Sequence, residues 1–76
     1  EVLSEANWNL AQRYLDQAVA AEPHRIVHHL ALGLVLRDRG NLDGARAQFD
    51  WIARAAITDF NDSHYKQQAA TERRKL

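Results

Sequence analysis

Residues 30–49, LALGLVLRDRGNLDGARAQF, begin with seven residues that carry no polar side chain and turn polar only on the way to a Gly-Asn pair. A helix that is apolar on every side is normally a buried one. Beyond His28 and His29, Ile26 and Val27 extend the apolar pattern upstream, so a helix is expected from about His24 to Arg39. It should stop at Gly40, the residue that most easily adopts a left-handed closing turn. Downstream, Ala45, Phe49 and Ile52 follow at helical spacing and predict a second helix from about Leu42 to Ala56.

Working outward, the rest of the chain also reads as helix. Only three glycines and one proline interrupt 76 residues rich in Ala, Leu, Arg, Gln and Glu, all good helix formers. No stretch alternates at period two. One helix is expected from about Asn7 to Glu22, with Asn7 as its cap and Pro23 just past its end. Another should follow ITDFND, capped by Asn61 or Asp62, and end in ERRKL with cations near the negative pole of the helix.

The spacing of apolar residues repeats. Trp8, Ala11, Leu15, Ala18 and Val19 each have a counterpart 34 residues later, at Leu42, Ala45, Phe49, Ile52 and Ala53. Both sets keep the i, i+3, i+7 rhythm that places side chains on one helical face. A period of this length with two helices per unit predicts a solenoid. Gly33 costs roughly 1 kcal/mol of helix propensity relative to alanine, which predicts that another helix crosses there too closely to admit a side chain. Ile26, His29, Leu32, Gly33 and Leu36 form the face expected to pack on the flanking helices.

On these residues the chain resembles the tetratricopeptide repeat family. Leu32, Gly33 and Leu36 match the first helix of a unit, Gly40 the turn within it, and Ala45 and Phe49 its second helix. Ala11, Leu15, Ala18 and Pro23 match the second helix of a preceding unit. His29 stands where an aromatic is usual, Leu36 where tyrosine is usual and Ile57 where proline is usual. The resemblance implies an all-α fold of antiparallel helix pairs, part of a right-handed solenoid, divided into a partial repeat (1–25), a full repeat (26–59) and a capping helix (60–76). The capping helix departs from the repeat, because continuing the register would bury Ser63, Lys66, Gln67 and Ala70, most of them too polar for it. Tyr65, Ala69 and Leu76, with Phe60 just before them, are its expected apolar stripe, resting on Ala47, Trp51 and Ala55.

In the resembled family the remaining side of the first helix lines a concave groove for peptides. The positions carried over are Val27, Leu30, Leu34, Arg37 and Asp38. With four helices, nothing obvious covers the Val27, Leu30 and Leu34 stripe, so it is expected to meet a protein or peptide partner, or a second copy of the chain. The alternative is that the fourth helix, or an N-terminal part of the parent protein, folds over it. Family members that hold a peptide's terminal carboxylate do so with lysines and asparagines. Leucines stand there in this chain, so carboxylate capture is not expected.

Other functions find little in the sequence. Ten basic residues balance ten acidic ones, which removes the general electrostatic case for nucleic acid or an anionic membrane. No apolar run spans a bilayer, and with no cysteine there is neither a disulfide nor a thiolate metal site. His24 and His28 lie i, i+4, but Arg25 follows His24 and no third ligand is evident, so no metal or other cofactor is expected. No catalytic constellation is present, and Ser4 and Ser63 read as cap or turn residues. Arg37, Asp38, Arg39, Arg46, Asp50 and Arg54 read as a solvated charged face. The alternative function is a helix-turn-helix reader of nucleic acid with residues 42–55 as recognition helix, although Asp43 and Asp50 interrupt any basic stripe. The chain opens at Glu1 without a methionine and reads as a piece of a longer protein whose compartment is not encoded here.

Overall fold

The computed structural model describes residues 4–76. They form four helices, α1 (Glu5–Ala21), α2 (Ile26–Asp38), α3 (Leu42–Arg54) and α4 (Asp62–Arg74), with no strand among the described residues. The first three residues of the expected partial repeat lie outside the described residues. Among the helices, α2 packs against the other three, α3 against α2 and α4, and α1 against α2 alone. The most apolar segment of the chain is thus the one that the fold surrounds.

The turn between α2 and α3 is built by three residues. Gly40 adopts φ 86°, in the left-handed region that favours glycine. Its N–H donates to the Arg37 carbonyl at 2.9 Å, and that of Asn41 donates to Leu36 at 2.8 Å. This paired closure satisfies carbonyls that the end of a helix leaves free. Asn41 then opens α3, its side-chain oxygen accepting the Gly44 N–H at 2.9 Å. One short turn therefore ends one helix and starts the next.

Gly33 and Phe49 fix how closely those helices meet. A Cβ built on Gly33 would lie 2.6 Å from Phe49 Cε1, well inside contact distance. Phe49, Ile26 and Ile52 are the largest fully buried side chains, and Leu30, Leu32, Leu36, Ala45 and Ala69 complete the core. The expected packing face of α2 is buried at each of its five positions.

The helix boundaries shift in places. α1 begins at Glu5 rather than Asn7, because the Ser4 hydroxyl accepts the Asn7 N–H at 3.2 Å and caps a turn earlier. α2 starts at Ile26, two residues after the expected His24, and α3 stops at Arg54. The stripe expected for α4 needs two corrections. Phe60 is 96% exposed on the preceding turn, and Ala47 faces solvent instead of receiving α4. Tyr65, Leu76, Trp51 and Ala55 do pack partly buried against the core, and Ala69 lies within it.

The Gly33–Phe49 contact predicts a coupled pair of substitutions. Gly33→Ala gains about 1 kcal/mol of helix propensity but forces the Phe49 ring aside, with an overpacking cost of roughly 1–3 kcal/mol. A net loss of stability is expected in urea unfolding. In a Phe49→Leu background, where the ring edge is gone, Gly33→Ala is expected to be neutral or stabilising. Equal effects in the two backgrounds would refute the contact.

Candidate functional site

The burial pattern of α2 recurs in α4, displaced by two residues from the 34-residue period. Ile26, His29, Gly33 and Leu36 correspond in this register to Asp62, Tyr65, Ala69 and Glu72, a spacing of 36. Asp62 and Ala69 are buried, and Tyr65 and Glu72 are partly so. Lys66 then corresponds to Leu30. The cause lies in residues 55–61, a longer connection than the 22–25 link between α1 and α2.

Asp62 organises that connection. It is a buried carboxylate at the first position of α4. Its Oδ2 accepts the backbone N–H groups of Thr58 and Asp59, each at 2.8 Å, and the Thr58 hydroxyl at 3.3 Å. Charge-assisted bonds of this kind compensate the burial of an ionised group. Lys66 joins α4 to α3. Its ammonium donates to the Ile52, Ala53 and Ala55 carbonyls at 2.8, 3.3 and 2.5 Å. All three donors are used at the negative pole of α3, where a cation is most favourable. Lys66, a polar residue where the 34-residue register would place a buried one, is the joint between α4 and α3.

Placed this way, α4 seals one side of α2. Arg37 of α2 donates to Glu72 of α4, and Glu72 also receives the Lys75 ammonium at 3.1 Å. The Lys75 bond, against the opposing effect of burial, together with the charges of Lys75 and Arg37, holds the Glu72 carboxyl below its ordinary value. For Arg37, burial works downward, but its bonds and charge interactions with Asp38 and Glu72 prevail and raise it.

The five expected site residues therefore have different environments. Leu30 is only 4% exposed and belongs to the core, which corrects its expected place on an open groove. Arg37 is half-buried in the α2–α4 seam. Val27 and Leu34 remain partly accessible, and Asp38 is exposed. Ala31 and Val35, which the sequence reading did not include, share that accessibility. The resulting open stripe is Val27, Ala31, Leu34, Val35 and Asp38. At the 36-residue spacing it is matched on α4 by Ser63, Gln67, Ala70, Thr71 and Arg74, all exposed. Gln67 and Thr71 line a shallow depression with His64 and Gln68. An apolar strip thus has a hydrogen-bonding strip as its counterpart on the adjacent helix.

His28 and His29 serve the frame. His29 is buried, with Nε2 2.8 Å from the Pro23 carbonyl and Nδ1 2.7 Å from the Gln48 amide. The carbonyl can only accept, so Nε2 carries a proton. His29 also stacks on Trp51, with centroids 3.6 Å apart. His28 bonds Glu22 at 2.9 Å, and this bond, against the opposing effect of burial, together with the Arg25 and His28 charges, lowers the Glu22 carboxyl. Among the described residues, no group of three His, Cys, Asp or Glu side chains is placed to hold a metal ion. No described helix is long and apolar enough to cross a membrane.

Comparisons of the chain with models of known families, with curated proteins and with solved structures found no match.

The Glu72 junction predicts a pH signature. Because its folded-state value is depressed, its stabilising contribution is fully present above its ordinary value of 4.5 and is lost as pH falls through the folded value. Glu72→Gln is expected to cost about 1 kcal/mol or less at neutral pH. Thermal melts of wild type and variant should converge as pH falls below that window. A gap that stays constant into acid would assign the loss to packing instead.

Proposed function

We propose that this chain is a non-enzymatic interaction module of the helical-repeat type, resembling the tetratricopeptide repeats, which holds a segment of a protein partner against α2 and α4. The observation that carries the reading is the state of α2. Three helices surround it, yet Val27, Ala31, Leu34 and Val35 stay partly accessible along one line. An apolar line left open beside polar neighbours is the usual form of an interaction surface.

The packing order supports a repeat. α2 meets the helix before it, the helix after it, and the next helix but one, while α1 packs only on α2. Such nearest-neighbour packing suits a stack of helix pairs in which equivalent helices lie side by side. The small residues Gly33 and Ala69 stand at equivalent places in α2 and α4, and both are buried.

The surface favours an extended segment with apolar side chains. These would lie on Val27, Ala31, Leu34 and Val35, while the backbone, which must keep its own hydrogen bonds, would find the side chains of Gln67 and Thr71. Arg37 and Glu72 hold the two helices together at the seam. A nucleic-acid reader fits less well. α3, its expected recognition helix, is clasped between α2 and α4, and its Arg46 is paired with Asp43 at 2.5 Å.

Substitutions now separate surface from core. Leu30→Gln should unfold the domain or cost several kcal/mol, since it buries an amide with no prepared partner. Ala31→Gln with Leu34→Gln should leave the helical circular dichroism largely intact and weaken capture of apolar peptides from a random extended-peptide library at least tenfold. Equal enrichment by wild type and the double variant would reject this surface as the binding site.

A further inference from the structure

We infer that the connection between α3 and α4 carries a self-association site, in which Phe60 of each of two copies of this chain enters a pocket beside Trp51 of the other. The site uses none of the open residues of α2 and needs nothing from outside these 76 residues. Phe60 is 96% exposed and Ile57 57% exposed, yet the backbone that bears them is fixed. The Asp62 carboxylate accepts the N–H groups of Thr58 and Asp59, and the Asp59 carboxylate accepts that of Asn61 at 3.1 Å, so the chain is held on both sides of Phe60. An aromatic side chain presented on a fixed turn loses little freedom when it docks.

The same connection helps to close a pocket of about 230 Å³, lined by His24, Trp51, Arg54, Ala55, Ala56 and Thr58. An apolar cavity of about 150 Å³ holds benzene, so this pocket has room for a phenyl ring. Trp51 stacks on His29, with centroids 3.6 Å apart, and also lines the pocket, which gives it an aromatic wall held in place by that stack. Aromatic rings gain from edge-to-face or offset contact beyond the area they bury. Phe60 stands two residues beyond Thr58 and does not enter the pocket of its own chain.

Charge identifies the occupant as a second copy. Arg54 lines the pocket and Asp59 adjoins Phe60, and neither makes an ion pair among the described residues. The acidic residues of α3 differ in this respect, since Asp43 is paired with Arg46 and Asp50 with Arg73. When Phe60 of one copy enters the pocket of the other, Asp59 of the first comes to Arg54 of the second. Ring and pocket share one connection, so a single two-fold axis beside Ile57 makes both contacts twice, the self-complementary form of a two-fold interface. A net charge of zero sets no long-range repulsion against the approach.

Sedimentation equilibrium of the intact chain from about 10 μM to 1 mM is expected to show a reversible monomer–dimer equilibrium, as suits a small interface. Phe60→Ser should weaken it at least tenfold. Arg54→Asp and Asp59→Arg should each do the same, because each sets like charges opposite one another. All three residues are exposed, so the helical circular dichroism of the variants should match wild type. Mixing the two charge variants should restore a one-to-one dimer, since both of its ion pairs are then complementary; a folding defect is not cured by mixing. Ala31→Gln with Leu34→Gln should leave association unchanged, which separates this site from the surface proposed above. A chain monomeric throughout, a dimer that survives Phe60→Ser, a dimer dissolved by the α2 substitutions, or charge variants that fail to pair with each other would overturn the inference.

Discussion

The close crossing of α2 and α3 at Gly33 governs the remainder of the molecule. Because no side chain stands at that position, the Phe49 ring enters the interface and the helix axes approach far enough for Ile26, Leu36, Ala45 and Ile52 to close around it. Losing such a ring from a core costs roughly 3–5 kcal/mol, a large part of the stability of a small domain. The three-residue turn, with Gly40 and Asn41, brings the two helices together at the same end. Local backbone chemistry and tertiary packing therefore specify the same hairpin.

Polar groups decide where the fourth helix goes. Asp62 shapes the connection by accepting two backbone N–H groups, Lys66 pins α4 to the carbonyl end of α3, and Glu72 ties it to Arg37. These bonds place Ala69 in the core and close α2 on that side, so that Leu30 becomes interior while Leu34, one turn on, stays at the margin. The same placement puts the polar strip of α4 next to the apolar strip of α2. The surface proposed for binding thus arises from joints made by polar side chains buried or half-buried between the helices.

The parts legible in the sequence were those governed by local rules. Gly33, Gly40, Ala45 and Phe49 could be read because a glycine inside a helix, a glycine after one, and a small residue a turn before an aromatic each have a defined physical use. Leu30 could not be placed, since its burial depends on where α4 lands. That in turn depends on the seven-residue connection 55–61 and its buried carboxylate. The role of Lys66 was illegible for a related reason. A lysine in an apolar register looks like an error until the three carbonyls it serves at the end of α3 are in place. Ser4 carried the legible signal of a capping residue, but Asn7 carried it too, and the structure uses the earlier one.

If α2 is the centre of the fold and α1 a helix held on one side only, local stability should be graded along the chain. Amide hydrogen exchange of the intact domain measures this directly. The amides of residues 30–36 and 45–52 should exchange slowest and together, at the rate of global unfolding. Those of α1 should exchange markedly faster, with residues 10–18 opening while α2 remains protected. Protection of α1 equal to that of α2, or exchange in α2 as fast as at the helix ends, would contradict this account.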